Sequence, residues 1–371
     1  MRFDDFTMPV ILVSQALKLL DYLHAVDILT TAVTMQNSTA EISDFYLRII
    51  DDRVYWLTLA IAGFTLSVVT VVANFIVVAI TCRDPQRALR APPCLLIANL
   101  SASDFLVGLC VVLLVAFRDV YRSCQQQVPL PHAVRTFASY VLCTTLFVSS
   151  ASMVALSTTC FVAINNPMEY KTKITKKRMY IFIALVWVIA LLVCFLPATN
   201  IPEKTYLLIY IHTHISLPAV LLTVIYVKGL GALARRTREL QANGQQSVEN
   251  NRRALERERN MAVTVTIILT IFFLTYLPQF IMIHLLYFCD SCEISDESIT
   301  FHKIDVASSR FVFLNSAINP FIYAWRMLKY RRALEASWKP FKNKLCATVV
   351  PRVEGPLFLR RQRSRAIGGL P

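Results

Sequence analysis

Seven apolar runs punctuate the chain, near 54–81, 94–117, 133–164, 179–199, 206–230, 261–288 and 304–327. About 20 helical residues cross a hydrocarbon layer of about 30 Å, and every run reaches that length. The apolar positions are continuous rather than alternating, which argues against the strands of a membrane barrel. Backbone groups in lipid must be satisfied within their own segment, so the pattern predicts helices. Between the fifth and sixth runs, 231–260 is polar around Gln241, Asn243, Gly244, Gln245 and Gln246. Helical patterning on both flanks extends those two helices beyond the membrane. Neither a fixed-period repeat nor the inverted symmetry of transporters is visible.

Composition narrows the class. Of 371 residues, 56% are hydrophobic and only 17% charged, with a mean hydropathy of +0.52. Soluble domains carry about 25% charge. Disorder is excluded by the same figures, and ten Cys are too sparse for a disulfide scaffold. Eight Gly argue against a phosphate-cradling nucleotide fold. The net charge of +14 could serve nucleic acid or a membrane surface. Its placement decides for the membrane.

Lys and Arg gather in alternate loops: Arg83, Arg87 and Arg90 in the first, Lys171 to Arg178 in the third, and Lys228 to Arg259 in the fifth. The tail adds Lys329, Arg331, Arg332, Lys339, Lys342, Lys344 and five more Arg. The intervening loops set Arg118, Arg122, Lys204 and Lys303 against Asp119, Glu203, Asp290, Glu293, Asp296 and Glu297. The positive-inside rule puts the C-terminus in the cytoplasm and the N-terminus outside, and no nucleic acid is needed to explain the charge. The expected fold is an all-α membrane protein with three parts. These are an extracellular segment (1–52), a seven-helix bundle (53–327) and a basic cytoplasmic tail (328–371). Met1-Arg2-Phe3-Asp4-Asp5 poorly matches a signal peptide. The stretch 9–34, interrupted by Lys18, Asp21, His24 and Asp27, reads as an amphipathic or loosely ordered outer segment. Asn37-Ser38-Thr39 is a glycosylation sequon on the expected outer side.

Charge inside the membrane runs costs energy. An ionised carboxylate near the bilayer centre costs roughly 2.5–3.5 kcal/mol even on a lenient scale. Asp104 is about ten residues from the cytoplasmic end of the second run, hence roughly 15 Å deep. It is expected to face the bundle interior. Asn74, Ser149, Asn315, Ser316 and Asn319 fall at similar depth. Two readings follow. The layer is a packing network of hydrogen bonds, or it is a cation pocket whose one carboxylate and hard oxygens suit Na+.

Asn74, Leu100-Ser101-Ala102-Ser103-Asp104, Trp187, Pro218 with Tyr226, Pro278, and Asn319-Pro320-Phe321-Ile322-Tyr323 occur in order on every helix but the third. Over about 54–340 these landmarks resemble rhodopsin-like (class A) G-protein-coupled receptors. Tyr226-Val227-Lys228, Ala232 to Arg236, Asn319 to Arg326 and the pair Cys289-Asp290-Ser291-Cys292 look nearest to adenosine- and melanocortin-type receptors. The resemblance implies an outward-facing ligand cavity between helices 3, 5, 6 and 7. It also implies an outward swing of helix 6 that admits a heterotrimeric G protein or arrestin. It identifies the layer of Asp104, Ser149, Asn315 and Asn319 with an allosteric sodium site. It implies a plasma-membrane protein in contact with lipids, with no resident cofactor beyond that ion. No hydrolytic or redox constellation rises above chance among the residues, so no enzymatic activity is expected. Trp325–Lys339 would be the short amphipathic eighth helix, with Cys346 a candidate palmitoylation site.

Departures accompany the matches. Thr159-Cys160-Phe161 stands where the family has an acid, an Arg and an aromatic residue. Glu258 stands in place of the helix 6 acid that such an Arg would meet. Cysteine lacks the fork of donors and the permanent charge of a guanidinium. The latch therefore cannot form, so either resting activity rises or coupling is impaired. The alternative to a coupling receptor is thus a scavenger, modulatory or arrestin-type receptor; a transporter or channel is a third reading. Tyr276 precedes Pro278 in Thr275-Tyr276-Leu277-Pro278 and takes the place of the aromatic switch. The activation set is Cys160, Tyr226, Glu258, Tyr276, Pro278, Asn319, Pro320 and Tyr323. Arg135 replaces the usual outer Cys of helix 3, and the second outer loop, near 200–205, has none. Cys289 and Cys292 could form a disulfide outside the cell, or a CxxC metal or redox site.

The ligand is constrained mainly by exclusion. Phe313 occupies the position of a retinal-binding Lys, Leu142 that of an amine counter-ion, and Ile283 that of a purine-gripping Asn. Leu114 and Ser139 replace the melanocortin-type acids. The implied wall (Leu142, Cys143, Leu146, Tyr276, Phe280, Ile283, Val312 and Phe313) is apolar and favours an apolar or lipid-like ligand. His212, His214, Gln279 and His284 are the polar candidates beside it.

Overall fold

The computed structural model describes residues 52–83, 89, 91–124, 131–196, 202–242, 248–289, 299–327 and 330–337. All regular structure among them is helical. The long helices are α1 (Arg53–Arg83), α2 (Pro92–Ser123), α3 (His132–Asn165) and α4 (Lys176–Phe195). They continue with α5 (Glu203–Ile211, His212–Ser216 and Leu217–Ala242), α6 (Val248–Phe288) and α7 (Ile299–Arg326). A short helix, Pro167–Lys173, follows α3. Residues 330–337 form α8, burying Tyr330 and Ala333 and exposing Arg331, Arg332 and Glu335.

Six of these helices are long and apolar enough to cross a membrane; α7 is not among them by composition. Its inward residues explain why. Ser308, Asn315, Ser316 and Asn319 are all buried, and they dilute the apolar content of the helix. In α1 the usual pattern is inverted, as lipid demands. Ser67, Thr70 and Asn74 are buried on one stripe, while Leu57, Ile61, Val68, Val72 and Phe75 are exposed. Hydrocarbon is as apolar as Leu, so helices associate through close packing and hydrogen bonds instead.

Neighbouring helices pack in the ring α1–α2–α4–α3–α5–α6–α7–α1, with α3 also touching α2 and α6. The closest seam joins α1 to α2. A Cβ built on Gly63 would lie 2.9 Å from Ala116 Cβ, and one on Gly108 would lie 3.0 Å from Thr70 Cβ. Ser67 Oγ donates to the Gly108 carbonyl across that seam at 2.9 Å.

Several boundaries differ from those expected. α2 runs to Ser123, so Arg118, Asp119 and Arg122 belong to a helix rather than a loop. Glu203 and Lys204 open α5, and Lys303 lies within α7, which begins at Ile299. α4 ends at Phe195, earlier than expected. As the flanking helical pattern predicts, α5 and α6 extend past the apolar runs to Ala242 and from Val248. Two wide π turns, Val107–Val112 in α2 and His212–Ser216 in α5, were not anticipated. The second has a local cause, because Pro218 has no N–H for the His214 carbonyl, the acceptor four residues back. At the start of α1 the Asp52 carboxylate accepts from Tyr55 N–H (3.0 Å) and from Lys303 Nζ of α7 (2.5 Å). Those hydrogen bonds, led by Lys303, hold its carboxyl below the usual range.

The α1–α2 seam yields a test. Gly63→Val is expected to force the two helices apart at a cost of about 1–3 kcal/mol. This should lower the thermal unfolding midpoint of the detergent-solubilised protein, and Ala116→Gly in the same chain should restore part of it. An unchanged midpoint would show that the seam tolerates added volume.

Candidate functional site

Asp104 is fully buried in α2, one turn before the π segment. Its Oδ1 accepts from Ser149 Oγ of α3 at 3.2 Å and from Ser316 Oγ of α7 at 2.8 Å. Its Oδ2 accepts from Asn319 Nδ2 at 2.8 Å. Ser316 and Asn319 share one face of α7 because they are three residues apart. Pro320 supplies the local logic of the next bond. With no N–H, it leaves the carbonyl of Ser316, four residues back, without its helical donor. Asn74 Nδ2 of α1 donates to that carbonyl at 3.0 Å and to the Thr70 carbonyl at 2.9 Å. Three other helices thus answer one carboxylate, directly or at one remove.

The chemistry of this layer suits a hard cation. Asp104 brings the charge, and the Ser149 and Ser316 hydroxyls keep lone pairs while donating to it. Asn74 Oδ1 and both amide atoms of Asn315 are buried and have no hydrogen-bond partner among the described residues. Asn319 turns its amide N–H toward the carboxylate, so the unclaimed amide oxygens belong to Asn74 and Asn315. No group of three or more His, Cys, Asp or Glu able to hold a metal ion occurs among the described residues. A second polar link, from Trp187 Nε1 to Asn99 Oδ1 and from Asn99 Nδ2 to Ser152 Oγ, both 2.9 Å, ties α4 to α2 and α3.

The expected ligand wall is divided among several clusters. Leu146, Tyr276 and Val312 are buried in the main core, with Leu142 and Phe280 packed against it. Cys143 packs with Cys194 and Tyr206, Ile283 with Ile211, and Phe313 with the π segment of α2. The polar candidates are each bonded within the bundle. His214 meets the carbonyls of Cys143 (3.1 Å) and Tyr210 (2.9 Å). His212 meets Ser216 Oγ, His284 meets the Phe280 carbonyl, and Gln279 Oε1 accepts from Ser308 Oγ.

At the end of the bundle that holds the α3 C-terminus, Cys160 is partly buried, while the Glu258 side chain lies outside the described residues. Other contacts join helices here. Arg235 Nη2 of α5 donates to Asn165 Oδ1 of α3 at 3.1 Å. Arg326 of α7 donates to the Asn260 carbonyl of α6 at 3.1 Å. Tyr226 packs partly buried against the main core, and Tyr323 is buried with its ring 6.4 Å from Tyr330. Pro278 and Pro320 lie inside α6 and α7. Cys289 is disulfide-bonded. Asn37, Cys292 and Cys346 lie outside the described residues, as does the Arg135 side chain.

Sequence reasoning missed a charged layer between α2 and α7. Asp119 of α2 pairs with Arg310 Nη2 of α7 at 3.3 Å, their side chains 1% and 18% exposed. Nearby, the Arg122 guanidinium lies 4.5 Å over the Trp56 ring of α1. A signal was present: Arg310 interrupts the seventh apolar run, and a cation inside a membrane helix implies a partner.

The family model described as 7 transmembrane receptor (rhodopsin family) matches residues 73–323, well over half of the chain. The match starts one residue before Asn74 and ends at Tyr323, so it contains the whole polar layer around Asp104 and both members of the Asp119–Arg310 pair.

Removing one member of a buried ion pair strands the other. Arg310→Met is expected to cost about 3–5 kcal/mol, read as a lowered thermal midpoint. Asp119→Leu combined with Arg310→Met should recover most of the loss. A double variant as unstable as the single one would show that the pair is not a unit.

Proposed function

The chain belongs to the rhodopsin family of seven-transmembrane receptors, and from that premise we propose that it converts binding of an extracellular ligand into movement of α6 and cytoplasmic signalling through a heterotrimeric G protein. The observation that carries this reading is the buried Asp104, answered by α3 and α7 at once. A carboxylate shared between helices is a two-state element, because any shift of one helix changes the bonds of the others. In this proposal all seven long helices cross the plasma membrane, with the N-terminus outside and the C-terminus in the cytoplasm. α8 lies along the inner membrane surface. The landmarks at Tyr226 to Arg236 and Asn319 to Arg326 favour the adenosine- and melanocortin-type branch. Tyr276 is the aromatic switch, with Pro278, two residues on, as the bend. Asp104, Ser149 and Asn315 hold Na+, whose charge favours the ionised carboxylate and the resting arrangement of helices; Asn319 steadies the carboxylate from α7.

A second reading rests on one substitution. Cys160 cannot supply the charge that an Arg would present to a G protein. A receptor of this fold that engages arrestin, or modulates a partner without productive G-protein coupling, is the alternative.

Nucleotide exchange in cells without added ligand separates the two. Exchange above mock-transfected cells is expected, with a severalfold fall in Cys160→Arg as the introduced cation meets Glu258. If neither form departs from mock, the non-coupling alternative takes its place.

The cation has its own test. Na+ at ten times its dissociation constant should stabilise the wild type by about 1.4 kcal/mol, as a sodium-dependent rise in thermal midpoint that Li+ or K+ reproduces less well. Asp104→Asn should abolish that dependence. A preserved sodium response in Asp104→Asn would leave the layer as a packing network alone.

A further inference from the structure

Of the histidines set beside the expected ligand wall, two use only half of their ring. His212 opens the π turn of α5, and His284 lies one turn before the end of α6. Their rings meet across the two helices with centroids 6.2 Å apart and planes at 67°. His284 Nδ1 meets the Phe280 carbonyl at 2.8 Å. A carbonyl only accepts, so that nitrogen carries the proton and Nε2 keeps its lone pair. His212 Nδ1 pairs with Ser216 Oγ at 3.0 Å, and with the proton on Nδ1 the lone pair is again on Nε2. Neither Nε2 has a hydrogen-bond partner among the described residues. His214, in the same turn of α5, is the contrast. Both of its nitrogens are engaged, by the carbonyls of Tyr210 and Cys143, and the side chain is buried.

An imidazole held through Nδ1 by a carbonyl or hydroxyl, with Nε2 left open, has the arrangement of a metal ligand. The second bond fixes the tautomer and the ring orientation and raises the basicity of the ligating nitrogen. Phe280 and Phe288 flank the His284 ring, with centroids 4.1 and 5.6 Å away, and limit its rotation further. The position lets an ion arrive. His212 lies one turn from Leu208, where the apolar stretch of α5 begins, and His284 two residues before Leu286, where that of α6 ends. Both are thus within about 6 Å of the apolar boundary along their helices. His212 is exposed and His284 half-buried.

We propose that His212 and His284 bind Zn2+ through their Nε2 atoms and so bridge α5 to α6. Imidazole nitrogen selects this ion over Mg2+ and Ca2+, which take oxygen ligands. Zn2+ has no geometric preference from its d-electrons and accepts water in the tetrahedral positions that protein leaves open. With Zn–N at about 2.0–2.1 Å, two imidazoles on one ion place their centroids about 5 Å apart. The rings therefore need to close by about 1 Å, which side-chain torsions supply without moving either backbone. No third His, Cys, Asp or Glu completes the set among the described residues, so the site is reversible and regulatory rather than a structural staple. A bridge between α5 and α6 opposes their separation. The site goes beyond the signalling proposal; only its consequence, a lowered activity when Zn2+ restrains α6, rests on that reading.

The test is Zn2+ binding to the full-length receptor in phosphatidylcholine nanodiscs, purified through a tag free of histidine and read by competition with a fluorescent zinc chelator. Saturable binding is expected, with a rise in thermal midpoint that Mg2+ and Ca2+ do not reproduce. His212→Ala and His284→Ala should each weaken binding by at least about tenfold, or about 1.4 kcal/mol. The double variant should bind about as weakly as either single one, because one imidazole alone makes no bridge. His284→Phe keeps an aromatic ring beside Phe280 and Phe288 while removing both nitrogens, so it should lose Zn2+ as His284→Ala does without the loss of packing. Affinity unchanged in either single variant, or retained in His284→Phe, would overturn the bridge. Mg2+ or Ca2+ binding as tightly as Zn2+ would overturn the assignment of the ion. Binding is read here without any signalling partner, so a negative result leaves the G-protein proposal to its own experiment.

Discussion

A carboxylate held away from water must be answered by the protein around it, and much of the interior follows from how Asp104 is answered. It fixes the rotation of α2, because any other facing would present the acid to lipid. It requires donors on α3 and α7, and Ser149, Ser316 and Asn319 supply them. Asn74 then ties α1 to the carbonyl that Pro320 leaves without a helical donor. Polar residues that would weaken a soluble core are here the specific contacts between helices, since lipid offers apolar surfaces no reason to choose one neighbour over another.

Much of this was legible from residues alone. Continuous apolar runs reveal membrane helices because hydropathy is a property of the segment itself. The depth of Asp104, Asn74, Asn315 and Asn319 followed from rise per residue. What failed was non-local. Arg118, Asp119 and Arg122 read as a loop because charge ordinarily marks water, yet Asp119 is buried by Arg310, nearly two hundred positions later in the chain. The wall residues from Leu142 to Phe313 are implied by the resemblance, one helix at a time. Their division among separate clusters depends on how the helices rotate and pack. The π turn in α5 had a cue in Pro218; the one in α2 depends partly on Gly108 and its contact with Ser67, which no local pattern reveals.

The end of the bundle around Cys160 shows what stands beside a missing ion-pair latch. Cys160 cannot clamp α6, but Arg326 joins α7 to α6 through Asn260, and Arg235 joins α5 to α3 through Asn165. These are bonds between exposed side chains or to a backbone carbonyl, each worth about 1–3 kcal/mol at most when one partner is charged. Beneath them Ile164 of α3, Ala232 of α5 and Ala262 of α6 pack as one buried cluster.

The glycine seam makes the bundle unequal in stiffness. Where Gly63 meets Ala116 and Gly108 meets Thr70, the backbones are too close to slide without collision. α5 and α6 also pack together, but a cleft of about 350 Å³ interrupts their contact. Added side-chain volume is therefore expected to be absorbed between α5 and α6 more readily than between α1 and α2.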